Sequence, residues 1–99
     1  MAEEALPSID FATFIISMSH SALIQLGEAA HPDTGEIEPN VSLARQTIDL
    51  LGMLEEKTKG NLTGDEERLL SQVLYDLRMR CVEQEKRNKA AKAAAKTEK

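Results

Sequence analysis

Lys57-Thr58-Lys59-Gly60-Asn61-Leu62-Thr63-Gly64-Asp65-Glu66 joins two long amphipathic stretches and decides where one helix stops and the next begins. Gly60 stands where a left-handed residue follows a helix end, and Lys57 and Lys59 complement the negative end of the helix dipole. Thr63 and Glu66 then have the spacing of a capping box, in which each side chain satisfies the other's orphan backbone amide. Asp65, Glu66 and Glu67 favour the positive start of the new helix. Lys57, Lys59 and Asn61 offer anion-binding groups, but a single Gly before Lys59 lacks the spacing of a phosphate loop, and capping accounts for all three.

Working outward, the preceding stretch, about Val41 to Lys59, divides into two faces. Leu43, Leu50, Leu54, Thr47, Leu51, Ala44, Ile48 and Val41 share one side at 100° per residue, and Arg45, Asp49, Glu56, Gln46 and Lys57 take the other. Met53 interrupts the polar face, Arg45 and Asp49 have ion-pair spacing, and Asn40 caps the start. The following stretch, about Thr63 to Glu85, carries a core stripe of Leu69, Val73, Leu77, Leu70, Cys81 and Leu74. Tyr75, Met79 and Val82 form a second, smaller stripe almost opposite.

A third amphipathic stretch, about Asp10 to Glu28, is capped by Ser8 or Asp10. Its apolar arc includes Phe11, Phe14, Ile15, Met18, Ala22 and Leu26 and is wider than one partner helix needs. The other side carries small hydroxyls, with Ile24 intruding, so this face too is open to cover by another backbone. Between the first two stretches, His31-Pro32-Asp33-Thr34-Gly35 is turn chemistry. No period-two alternation occurs, so strands are not expected. The predicted fold is all-α: three helices, the second and third an antiparallel hairpin, the first packed on its Leu-rich side, with oligomerisation a route to completing the core.

Charge is unevenly placed. Residues 1–85 hold six Lys/Arg against sixteen Asp/Glu, a net −10, whereas residues 86–99 hold six against one, a net +5. The chain therefore reads as an N-terminal extension (1–9), a helical domain (10–85) and a basic Ala/Lys-rich tail (86–99). Ala and Lys favour helix, so the third helix can run on into the tail, but without large apolar anchors the tail is expected to be mobile. A single cysteine excludes an internal disulfide framework, and the acidic start is unlike a secretory signal; both fit a cytoplasmic protein. Phe11 to Gly27 is seventeen residues without formal charge. Its hydroxyls, His20 and Gln25 argue against a membrane span, at the bottom of the roughly 17–25 residues required.

The order of motifs is also familiar. Phe11-Ala12-Thr13-Phe14, Ala22-Leu23-Ile24-Gln25-Leu26-Gly27-Glu28, Pro32-Asp33-Thr34-Gly35, Ala44 to Leu51, Glu55 to Thr63 and Leu74 to Arg80 together resemble a small bacterial family, the domain of unknown function numbered eighteen-forty-four. The resemblance covers about residues 6–82, and Lys57 to Thr63 is its most specific block. It implies a bacterial protein and brings no activity, ligand or catalytic residue.

Chemistry is sparse. Ser17 and His20 can meet on one helix face, but mid-helix amides are already bonded and supply no oxyanion hole, so a polar surface is the simpler account. Glu28, His31 and Asp33 can gather at the loop, yet turn formation explains that loop without a cation. Cys81 falls on a core stripe, where a thiol is an inert small hydrophobe; a redox role needs an exposed, electropositive setting, toward which Arg78 and Arg80 contribute. No catalytic, cofactor or metal residues are assigned, and no small-molecule substrate is evident. The leading expectation is a non-enzymatic interaction module that associates with itself or with another protein. Its candidate contact residues are Tyr75, Arg78, Met79, Val82, Phe14 and Ile24. The alternative is a nucleic-acid or ribosome accessory protein acting through Lys86, Arg87, Lys89, Lys92 and Lys96.

Overall fold

The computed structural model describes residues 9–97, with side chains described as far as Ala90. Three helices are present, α1 (Phe11–Leu26), α2 (Val41–Lys57) and α3 (Gly64–Thr97), and no strand occurs among the described residues.

Local hydrogen bonding sets each boundary. Asp10 caps α1, its carboxylate accepting from the Thr13 N–H at 2.8 Å. That bond holds the Asp10 carboxyl below its ordinary pKa. The other candidate cap, Ser8, lies outside the described residues. At the far end α1 stops two residues earlier than the sequence pattern suggests. Gly27 adopts φ +83°, and its N–H donates to the Ile24 carbonyl at 3.0 Å. The Glu28 N–H donates to the Leu23 carbonyl at 2.9 Å, completing a Schellman motif. Asn40 caps α2 through the Leu43 N–H at 3.1 Å.

The end of α2 also differs from expectation. The Thr58 hydroxyl and N–H both donate to the Leu54 carbonyl, at 2.7 and 2.9 Å, and close the helix at Lys57. Gly60, at φ +85°, turns the chain after that stop and is not the first residue past it. The capping box forms as read: the Thr63 N–H donates to Glu66 Oε1 at 2.9 Å and the Glu66 N–H to Thr63 Oγ1 at 3.1 Å. α3 then runs for 34 residues, about 50 Å at 1.5 Å per residue, twice the length of α2. It takes in the Ala/Lys-rich segment as far as Thr97.

All three helices pack against one another around one core. Ile15, Ala22 and Leu26 of α1, Ala44, Ile48 and Leu51 of α2, and Leu70, Leu74, Leu77 and Cys81 of α3 form its buried cluster. Ile15, Leu26, Leu51, Leu70, Leu74 and Leu77 are fully enclosed. Each contributes about 1.5–3 kcal/mol relative to an exposed side chain. The α2–α3 hairpin is antiparallel: Arg45 pairs with Glu85, Gly52 lies under Arg78, and Glu55 accepts from Ser71, so partners fall along α3 as numbers rise along α2.

α1 is tied in by its C-terminal end. Thr47 Oγ1 of α2 donates to Gln25 Oε1 at 2.7 Å, and the Asn40 N–H donates to the Gln25 carbonyl at 2.7 Å. Arg80 of α3 pairs with Glu28 just beyond α1.

Candidate interaction surface

The outer face of α3 carries the site. Leu70, Leu74, Leu77 and Cys81 point inward, so at 100° per residue Tyr75 and Met79 point away from both partner helices, and Val82 follows at the rim of a cleft it shares with Val41, Ser42 and Arg45 of α2. All three are exposed, Tyr75 at 69%. Each is apolar, and the spacing of four and three keeps them on one line. Ion pairs flank that line. Asp76 binds Arg80 Nε at 2.9 Å, and Glu83 lies 3.8 Å from Arg87. The contacts with Asp76 and Glu28 raise the pKa of Arg80 above its ordinary value.

The remaining contact candidates divide. Phe14 is on the surface of α1 at 42% exposure. Arg78 is exposed but leans toward α2, its Nη2 3.1 Å from where a Cβ on Gly52 would stand. Ile24 is a correction. Although it lies opposite the α1 core stripe, it is 8% exposed and has no free surface for a partner. The α1–α2 connection returns to this end of α1, where Pro39 closes on Gly27 and Asn40 bonds Gln25.

Three further apolar residues emerge on α2. Leu43 and Leu50, assigned by pattern to the core side, are exposed together with Met53, Leu50 at 53%. The core takes a narrower arc of α2, centred on Ala44, Ile48 and Leu51, than its leucines span. Arg45 is also reassigned: it reaches Glu85 at 2.9 Å across the hairpin and makes no ion pair with Asp49. Ile9, Ile16 and Ile37 are likewise exposed and outside the candidate set.

Lys86, Arg87 and Lys89 are exposed on α3, and Lys86 and Lys89 line a cleft with Val41, Ser42 and Arg45 at the start of α2. Lys92 and Lys96 follow on the same helix, where side chains are outside those described. The reactive-residue candidates stay apart. Ser17, His20 and Ser21 lie on exposed α1, with no hydrogen bond joining them among the described residues. His31 is used in its turn: its N–H donates to the Glu36 carbonyl and its carbonyl accepts from Gly35. Among the described residues no three His, Cys, Asp or Glu gather as a metal site would require, and no helix is long and apolar enough to cross a membrane. Cys81 is buried, and burial, then the nearby Glu85, pushes its thiol toward the uncharged form.

The profile of the family described as Domain of unknown function (DUF1844) matches residues 8–83. No curated protein and no solved structure matches the chain significantly. The matched span exceeds half the chain and takes in all of α1 and α2 and the packed part of α3. The chain belongs to this family.

Proposed function

We propose that this family member is a non-enzymatic interaction module that associates with itself. The observation that carries the reading is the exposed Tyr75–Met79–Val82 line on α3, on the side away from the core. Leu43, Leu50 and Met53 on α2 and Phe14 on α1 add further exposed apolar side chains. Apolar surface of this kind, with a tyrosine and arginines at its edge, is the common composition of protein contact sites. Light scattering over a concentration series tests the proposal. Rising mass with concentration supports it; a strict monomer at high micromolar concentration removes it.

A second reading draws on the extension of α3. The unbroken α3 carries exposed Lys86, Arg87 and Lys89 beside the start of α2, a basic surface suited to nucleic-acid phosphates. Binding through it would weaken with salt at a log–log slope of about −4 and show no sequence preference. Gel shift with the full chain and with a chain ending at Glu85 separates the readings. Equal behaviour of the two chains ends this one.

A further inference from the structure

The start of α2 and the second half of α3 bound an open cleft of about 540 Å³ that the core packing does not use. Val41 and Val82 are its only apolar lining. Lys86, Lys89 and Arg45 set three cations on it against one carboxylate, Glu85. Arg45 engages Glu85 at 2.9 Å, and the neighbouring acidic residue of α3, Glu83, lies beside Arg87. No ion pair among the described residues takes up Lys86 or Lys89. Ser42 and Asn88, both exposed, add a hydroxyl and an amide as neutral donors. On a body that is otherwise strongly acidic, the cleft is a local positive region.

Building on the second reading above, we infer that this cleft holds the phosphate chain of a nucleic-acid strand. Ser42 of α2 and Asn88 of α3 donate to phosphate oxygens, and Lys86 and Lys89 supply the charge. The basic tail is then only part of the site. The free cations are lysines, compact point charges that suit a phosphate. The one arginine on the cleft, whose fork would match a peptide carboxylate, is already engaged by Glu85. The lysines also form a track. α3 continues unbroken to Thr97, and at 100° per residue the positions of Lys92 and Lys96 fall on the same side as Lys86 and Lys89. From Lys86 to Lys96 that track runs about 15 Å at 1.5 Å per residue, long enough for consecutive phosphates of one strand. No aromatic side chain lines the cleft for a base to stack on, so the strand is held by its backbone and its sequence is not read. Glu85 works against the site, because it neutralises Arg45 and sets a carboxylate beside the phosphates.

Fluorescence anisotropy of a labelled, mixed-sequence single-stranded DNA, titrated with the full chain at about 0.1 M salt, tests this. Charges are then screened beyond about 10 Å, so changes inside the cleft should dominate. Ser42→Glu places a carboxylate among the phosphate contacts and should weaken binding about tenfold. An acidic residue in the first turn favours α2, so its circular dichroism should match wild type. Glu85→Gln removes the one carboxylate of the cleft and should tighten binding about fivefold, an outcome that misfolding cannot imitate. Gln72→Glu makes the same charge change as Ser42→Glu, but about 20 Å from Lys86 along α3, and should stay within about twofold of wild type. Inorganic polyphosphate should displace the DNA well below the concentration at which polyglutamate does; equal competition would overturn the phosphate assignment. If Ser42→Glu and Gln72→Glu weaken binding equally, or Glu85→Gln fails to tighten it, the strand lies on the tail alone and this inference falls by itself. If the full chain binds no DNA even at low salt, this inference and the second reading fall together, and self-association is untouched.

Discussion

Gly27 and Gly60 form a matched pair that isolates how the α1–α2 connection is closed. Both hold nearly the same left-handed backbone, φ +83° and +85°. Their surroundings differ completely. A Cβ on Gly60 would meet nothing within 4 Å, whereas one on Gly27 would stand 2.8 Å from Pro39 Cγ and 3.1 Å from Pro39 Cβ. The proline ring cannot swing aside as a flexible side chain would, so the loop backbone itself must move. Alanine at a left-handed position costs about 1 kcal/mol in either place. Displacing Pro39 adds the cost of overpacking, about 2 kcal/mol. Gly60→Ala should therefore lose about 1 kcal/mol and Gly27→Ala about 3 kcal/mol. With a urea slope of about 1.5 kcal/mol per M, the midpoints followed by circular dichroism fall by about 0.7 M and about 2 M. Equal losses would refute the reasoning, because Pro39 would then not be seated on Gly27 and the burial of Ile24 would need another cause.

Leu77→Ala removes a fully enclosed side chain at the centre of the core and should cost about 3 kcal/mol, read as a lowered urea midpoint with little change in helix content beforehand. Thr63→Ala breaks one half of the capping box and should cost about 1 kcal/mol, whereas Thr63→Ser should retain most of that stability. Cys81 should react slowly with a thiol-alkylating reagent near neutral pH, both because it is buried and because its thiol is held in the uncharged form. Adding urea through the unfolding transition should release the rate; fast labelling of the folded chain would contradict the packing of α3.

What the sequence disclosed was mostly local. The capping box at Thr63 and Glu66, the Asn40 cap and the α2–α3 turn depend on residues three or four apart, so their chemistry is written in adjacent letters. The inward stripe of α3 was equally plain, because Leu70, Leu74, Leu77 and Cys81 repeat at helical spacing with a polar surround. The misreadings share a cause, which is contact between distant segments. Gly27 gave a usable stop signal, but Glu28 beyond it looks like a continuing polar face until the Leu23 carbonyl claims its amide. Arg45 has an acidic neighbour four residues on and yet pairs forty residues away with Glu85. Leu43 and Leu50 lie on the apolar half of α2, but the groove left by α1 and α3 admits only the arc around Ala44 and Leu51. Ile24 shows the reverse: a residue opposite the core stripe is nonetheless enclosed. Of the contact candidates, Tyr75, Met79 and Val82 stood out because an apolar line opposite a core stripe has no partner within its own helix.

Tyr75 is the only tyrosine, and the chain has no tryptophan, so its emission reports on the exposed Tyr75–Met79–Val82 line of α3 directly. Acrylamide quenching of that emission, followed as the chain is concentrated, asks whether that line is covered by another copy. Falling quenching in step with rising mass is the expected result. Quenching that stays constant while the mass doubles would place the contact elsewhere and contradict the account.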